Sequence, residues 1–384
     1  MKSNSNALFK YCKKFFSINH NGEWNVEKYP LLHSNYNDYI KYSKTKNLDE
    51  VKNEFNDLYS KFIQEENNKD LDNKSFNPKS EFELNHQLKE IVNVDNIPTD
   101  TRFACFFNPK YVKRKQWIQT QALKFNIGEE VKKIDYLDEE VECWTKVYNN
   151  VTKLIEKNTC QEYLENFYLL KKNTGMSSDY FPQIRDISKV LKNKTGFQIV
   201  PVAGLLKPRF FLNLLAFKFF PSTQFIRPVE NFEYSGEPDI LHEIYGHCSL
   251  LCNKDFSDFS QEIGRCSLGA SDEDLKKLAN IYWFTVEYGL VKEKGSLKAY
   301  GGGILTSVYE IQYALKQIKD VKLAEYHDLN FDKMQTAYYD YVNLSTNYFV
   351  ADSIKSMKEK FIEYSNGIKQ KKTEKEKVIN NLHC

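Results

Sequence analysis

The sequence contains no run of eighteen apolar residues, the least that a membrane-spanning helix requires. Its greasiest stretch, Val200 to Pro221, is broken by Lys207, Arg209, Asn213 and Lys218, so it reads as a buried core segment. An excess of either charge is also missing. The 54 basic and 52 acidic side chains leave a formal charge of +2, which offers no pull toward nucleic acid or an anionic membrane. Cys12, Cys105, Cys143, Cys160, Cys248, Cys252, Cys266 and Cys384 are scattered, with neither zinc-ribbon spacing nor a disulfide framework. Free thiols are expected. The first 22 residues carry Lys2, Lys10, Lys13 and Lys14 and no acid, without the apolar core of a secretion signal or the arginines of a transit peptide. A cytoplasmic location is expected, and no internal repeat is visible.

What is present suits an enzyme-sized core. With 384 residues, 41% hydrophobic and 15% aromatic, the chain can build one large domain and a smaller appendage. Residues 1–100 form a polar N-terminal region of unassigned role. Within it Leu48, Val51, Phe55, Leu58 and Phe62 recur at three and four residues, the spacing of one amphipathic helix. Residues 101–360 are denser in apolar side chains and mostly helical in period. Val141, Trp144, Val147, Val151 and Leu154 make a stripe behind the acidic Asp138-Glu139-Glu140. Gln161 to Lys172 and Asp272 to Val291 also read as helices, the latter capped by Ser271. Val342 to Val350 is a strand or an irregular loop, and 361–384 is a charged tail. The fold class expected is mainly α with a few short strands.

One stretch carries chemistry. "LHEIYGHCSL" (Leu241 to Leu250) holds His242, Glu243 and His247. A zinc-protease helix places its histidines four apart on one face. Here they are five apart, about 140° around an ideal helix. Both can reach one ion only if the helix ends or loosens, and Gly246 permits a departure there. Pro238 and Asp239 mark the helix entry. In "IYWFTVEYGL" (Ile281 to Leu290) Glu287 is a carboxylate within an apolar, aromatic run, and a buried carboxylate needs a partner or a metal. Two imidazoles and one carboxylate form the facial triad of non-heme ferrous sites, with zinc a competing occupant. A hydrogen-bonded core histidine and a Glu paired with an Arg are the blander readings of the same residues. Glu243 is either a helix-surface acid or a group beside the ion.

From about Thr101 to Lys358 the chain resembles the catalytic domain of the tetrahydrobiopterin-dependent aromatic amino acid hydroxylases. The resemblance runs through "VPVAGLL" (Val200 to Leu206), "TQFIR" (Thr223 to Arg227), "EPDILHEIYGH" (Glu237 to His247) and "FSQEIGRCSLGA" (Phe259 to Ala270). It continues through "IYWFTVEYGL", "KAYGGGILTS" (Lys298 to Ser307) and "YFVADSI" (Tyr348 to Ile354). The resemblance implies a mainly helical basket around a non-heme iron cleft, with Fe(II) held by His242, His247 and Glu287. It implies hydroxylation of the ring of a free amino acid, using O₂ and tetrahydrobiopterin or another tetrahydropterin.

The same resemblance distributes the remaining roles. Gly204, Leu205, Leu206, Phe211, Glu243 and Tyr282 fall on pterin-side positions, Phe211 as the stacking ring. Lys207 and Pro208 depart from the family's usual small residues. Arg227 falls where the α-carboxylate is gripped, with Asp239 holding its guanidinium. Tyr234, Ser235, Trp283, Thr306 and Ser307 match the amino-acid pocket, with Ser235 and Thr306 as conservative departures. Trp283 implies room for a single ring, so L-phenylalanine is the expected substrate; Tyr341 matches none of the usual choices and leaves tyrosine or tryptophan open. Neither the regulatory domain of animal relatives nor their tetramer helix is apparent, so a monomer or dimer is expected. A silent binding module for amino acid or pterin is the alternative from another class, against which the intact triad argues.

Overall fold

A computed structural model describes residues 109–232, 235, 237–318, 324–339 and 344–367. The helix expected over Leu48 to Phe62, the rest of the N-terminal region, the tail from 368, Tyr234 and Tyr341 lie outside the described residues.

Helices α1 (Pro109–Leu123), α2 (Asp138–Asn158), α3 (Gln161–Thr174) and α4 (Ile184–Thr195) come first. Of the expected α2 stripe Trp144, Val147 and Val151 are buried, Val141 and Leu154 are half-buried and Ile155 is buried beside them, while Asp138, Glu139 and Glu140 occupy the first turn. The Glu140 carboxylate accepts from Leu137 N–H at 2.7 Å and from Arg114, satisfying one backbone amide of that end. Helices α3 and α4 each end on a left-handed glycine, Gly175 and Gly196.

A β-α-β unit follows. Strand β1 (Gln198–Pro201) pairs in parallel with β2 (Phe219–Ser222), and α5 (Pro208–Ala216) makes the crossover. The departure at Lys207 and Pro208 has a local reason. Lys207 stands at the N-cap and Pro208 in the first turn of α5, where a fixed φ and a missing N–H cost nothing.

Next come α6 (240–251), α7 (Lys254–Ser267) and α8 (272–287). Ser271 caps α8, accepting from Asp274 N–H at 3.1 Å. The helix expected to reach Val291 stops at Glu287, because Leu290 starts strand β3. That strand (Leu290–Glu293) forms a hairpin with β4 (Ser296–Ala299) through Lys294 and Gly295, both at positive φ.

Short helices α9 (Gly302–Leu305) and α10 (Val308–Ala314) lead to β5 (Glu325–Asp328), α11 (Phe331–Met334) and β6 (Asn347–Ala351). Part of the stretch read as strand or loop is thus strand β6. The four-stranded sheet runs β4-β3-β6-β5, with β6 parallel to both neighbours. Helix α12 (354–367) continues past residue 360, where the sequence suggested a tail. Phe361 is fully buried against Phe259 and Phe331, so the packed unit extends through that helix.

The core is mainly helical and aromatic. Phe181 stacks on Trp144 at 4.8 Å and on Tyr136 at 4.2 Å, and Trp144 meets Tyr245 of α6 at 5.8 Å. Tyr163 donates to the Tyr245 carbonyl. These contacts fix α6 from behind, and its opposite side faces α8 and α9. The five described cysteines are buried and unbonded to one another.

Candidate metal centre and its cleft

Both elements that carry the candidate ligands are widened helices. Within α6, His242–Cys248 is π-helical, and within α8, Trp283–Glu287 is too. In a π turn the backbone bonds run from i to i+5, which brings residues five apart onto one side. Of the two routes open in the sequence, the helix loosens around His242 to Cys248 and does not end at Gly246. It continues into Ser249–Leu251. Gly246 serves close packing instead: a Cβ there would sit 2.9 Å from the Gly302 Cα.

The histidine spacing now has a geometric answer. His242 Nε2 and His247 Nε2 lie 2.9 Å apart. Glu287 brings Oε2 to 3.5 Å of the first and Oε1 to 3.3 Å of the second. Glu243 also converges: one ligand atom each of His242, Glu243 and His247 lie within 4.8 Å of one another. The two acids are nevertheless unequal. Each takes a backbone hydrogen bond, Glu287 from Gly303 and Glu243 from Thr223, but Glu287 faces both imidazoles, one oxygen to each. The side chain of His247 is 2% exposed, while His242 and Glu287 each keep 15%, so the open side lies there.

Electrostatics favour a cation in this space. Burial holds His242 down to about 4 and His247 well below its ordinary value, so both imidazoles are neutral donors. Burial pushes Glu287 up to about 8; burial, then the charges of Glu287 and Asp239, push Glu243 well up. An ion of +2 charge would reverse this penalty and engage both imidazole lone pairs. Thr306 hydroxyl donates to the Gly302 carbonyl at 2.9 Å, so its oxygen can accept from His242 Nδ1 at 3.1 Å. That bond keeps Nε2 unprotonated toward the ion. A donor set of two nitrogens and one carboxylate, with one side open, fits a non-heme ferrous site. Thr306 thus touches a candidate ligand directly, a contact that its match to the amino-acid pocket did not suggest.

Arg227 and Asp239 lie beside this centre, both essentially buried. Asp239 accepts from Arg227 Nε at 2.8 Å, Nη2 at 2.7 Å and backbone N–H at 2.9 Å. It also caps α6, accepting from His242 N–H at 3.1 Å. Burial alone would raise its carboxyl, but the Arg227 charge and hydrogen bonds outweigh that and hold it low. One further Arg227 N–H reaches the Phe232 carbonyl at 3.4 Å. A guanidinium has five N–H groups, so two remain beyond these three contacts.

The other expected residues fall into three groups. Phe211 stands edge-on to Tyr282 at 4.9 Å, and Tyr282 is close enough to feel Glu287 and Glu243. Gly204, Leu205 and Leu206 form the loop after β1, with Leu205 73% exposed and therefore free of the core. Trp283 stacks with Tyr288 at 4.7 Å and with Tyr339 at 4.4 Å, and its Nε1 is buried. Ser235 hydroxyl donates to the Glu237 carbonyl at 2.6 Å, and Ser307 caps α10 through Glu310 N–H. Neither Tyr288 nor Tyr339 stood out in the sequence. The signal was the spacing of Tyr288, five residues past Trp283, once the turn is known to be widened.

A family model described as biopterin-dependent aromatic amino acid hydroxylase matches residues 75–377, a longer span than the expected 101–360. Phenylalanine-4-hydroxylase of Dictyostelium discoideum is 42% identical over 263 residues, covering 68% of this chain and 58% of that protein. Tyrosine 3-monooxygenase of Rattus norvegicus is 40% identical over 265 residues, 69% of this chain and 52% of the relative. The chain thus spans little more than half the length of these curated relatives. Among solved structures, Chromobacterium violaceum phenylalanine hydroxylase with bound iron(III) and oxidised cofactor 7,8-dihydrobiopterin is similar, with a TM-score of 0.54 and 30% identity. That likeness covers 59% of this chain and 80% of the bacterial one.

Proposed function

The chain belongs to the biopterin-dependent aromatic amino acid hydroxylase family, and from that premise we propose that it is a monooxygenase acting on the ring of a free aromatic amino acid. The observation that carries this reading is the convergence of His242, His247 and Glu287 on one point beside Arg227. Iron(II) would be held by those three side chains. When bound, iron and a tetrahydropterin would supply the oxidising chemistry that uses O₂.

The protein's own task is alignment and exclusion of water. Arg227, its fork already fixed by Asp239, offers its two remaining N–H groups to the substrate carboxylate. Thr306 keeps the proton of His242 on Nδ1. Phe211, with Tyr282 set edge-on against it, offers one flat aromatic face to the pterin, and the loop from Gly204 to Leu206 would border it. Glu243, close to both histidines and to Tyr282, would border the pterin on its metal side.

Phenylalanine is the substrate this reading favours. The Tyr288, Trp283 and Tyr339 stack would make a thick wall that suits one aromatic ring better than two. The catalytic role is assigned to the matched span, and a chain begun at residue 75 should keep it. A soluble monomer or dimer, working in the cytoplasm, is part of the same proposal. No helix among the described residues is long and apolar enough to cross a membrane.

The decisive experiment mixes the purified chain with Fe(II), tetrahydrobiopterin and O₂, and separately with phenylalanine, tyrosine and tryptophan. Tyrosine formation from phenylalanine at the highest kcat/KM is expected. Oxidation of pterin with no hydroxylated amino acid from any substrate would refute the enzyme reading. A preference for tryptophan would refute only the substrate.

A further inference from the structure

The loop that the proposed function gives to the pterin is held from outside its own β-α-β unit. Among the described residues, no backbone–backbone hydrogen bond involves Ala203, Gly204, Leu205 or Leu206. The main-chain ladder of this unit ends at Val202, whose N–H donates to the Ser222 carbonyl at 2.9 Å. Beyond it the Ala203 carbonyl accepts from a side chain: Gln119 Nε2 of α1 lies 2.6 Å away and buried. The same amide nitrogen lies 3.8 Å from where a Cβ on Gly204 would stand.

Gln119 is a costly residue for this place if packing were its only purpose. It is 1% exposed, and among the described residues its Oε1 is buried without a hydrogen-bond partner. A buried acceptor left unpaired is a penalty that an apolar side chain of the same length would avoid. The amide therefore trades stability for a grip on Ala203. Four residues earlier on the same face of α1, Lys115 pairs with Glu237 at 2.5 Å and sits over the Phe225 ring at 4.6 Å. Glu237 lies two residues before Asp239, so α1 touches the pterin-side loop through Gln119 and the amino-acid side through Lys115.

We propose that Gln119 is a positioning residue for the pterin site: it sets the path of the Ala203 to Leu206 main chain, and α1 is the brace it acts from. This rests on the reading of that loop as a pterin seat. A free loop would have to be ordered when the flat ring binds, and the grip of Gln119 removes that cost in advance.

The test uses the full chain loaded with iron and two variants, Gln119→Met and Gln119→Ala. Methionine keeps the length and removes both amide atoms, so it should fold even if the alanine cavity does not. The main readout is the Kd for 7,8-dihydrobiopterin by calorimetry, which needs no turnover. In Gln119→Met that Kd should rise roughly two- to tenfold, the loss of one hydrogen bond's worth of preorganisation. Amide exchange at Gly204 to Leu206 should speed up in the same variant. Iron content and KM for the amino acid should stay within about twofold, and Tm should hold or rise. An unchanged dihydropterin Kd in Gln119→Met would overturn the proposal. So would parallel losses in Kd, amino-acid KM and Tm, which would make Gln119 a packing residue. If the unaltered chain itself fails to bind dihydropterin, the reading of the site fails first, and the proposal with it.

Discussion

The buried pair Arg227 and Asp239 separates a substrate clamp from a structural ion pair, and the structure sets the magnitudes. Asp239 accepts four N–H groups, three from Arg227 and one from His242. Asp239→Leu strands the guanidinium in the interior with the Phe232 carbonyl at 3.4 Å as its remaining hydrogen-bond partner among the described residues. Stranding one partner of a buried pair costs about 3–5 kcal/mol, and loss of the α6 cap adds about 1 kcal/mol. Against a typical stability of about 5–15 kcal/mol the single variant should be close to unfolding. Removing both charges together, as Arg227→Met with Asp239→Leu, should be far milder, since apolar replacement of a buried pair is often neutral or stabilising by about 1–4 kcal/mol. Urea denaturation of the iron-loaded protein should therefore rank the double variant above Asp239→Leu. The amino-acid KM should not follow. Losing a buried charge-assisted contact to the substrate carboxylate costs about 2–5 kcal/mol, so KM for phenylalanine should rise by roughly one and a half to three and a half decades in both Arg227→Met and the double variant. A double variant that recovers both stability and KM would refute the clamp. An Asp239→Leu no weaker than the double variant would refute the reasoning about the stranded charge.

Three further outcomes are expected. His242→Ala and His247→Ala should each lose iron as measured by metal analysis while the circular dichroism spectrum is kept, and full iron content in both would end the ligand assignment. Glu310, buried beneath Tyr348 and Ser345, is pushed up to about 7 mainly by burial, against the hydrogen bonds from those partners. A carboxyl raised in the folded state stabilises fully below its ordinary value of about 4.5, and that stability fades as pH rises toward 7. The loss should total about 3 kcal/mol across this window, and Glu310→Gln should flatten the urea midpoint there; equal slopes in both proteins would contradict it. Trp283→Phe removes one ring from the stacked wall, so the kcat/KM ratio of tryptophan to phenylalanine should rise roughly tenfold; no change would show that the wall does not choose the substrate.

Local chemistry made much of this protein readable from its sequence. The α2 stripe with its acidic first turn, the Ser271 cap and the entry at Pro238 and Asp239 are decided by residues within a few positions of one another. The unusual histidine spacing and the lone acid in an apolar run marked the metal centre for the same reason: a buried polar group has to be accounted for wherever it falls. That the helix would loosen into a π turn rather than end was not readable. A π turn is selected by what packs on both sides, here Tyr245 against Trp144 behind and Gly246 against Gly302 in front. Contacts that join distant segments were equally hidden. Thr306 reaches His242 across 64 residues and Gln119 reaches Ala203 across 84, and no sequence period relates such pairs. The ends of elements also depended on the whole. Helix α8 stops where β3 must pair with β6, and α12 continues because Phe361 finds a pocket between Phe259 and Phe331. Sequence thus determined which groups require a partner, because burial penalties belong to residue types. Tertiary structure alone decided which partner each one meets, because that depends on distances between elements that are far apart along the chain.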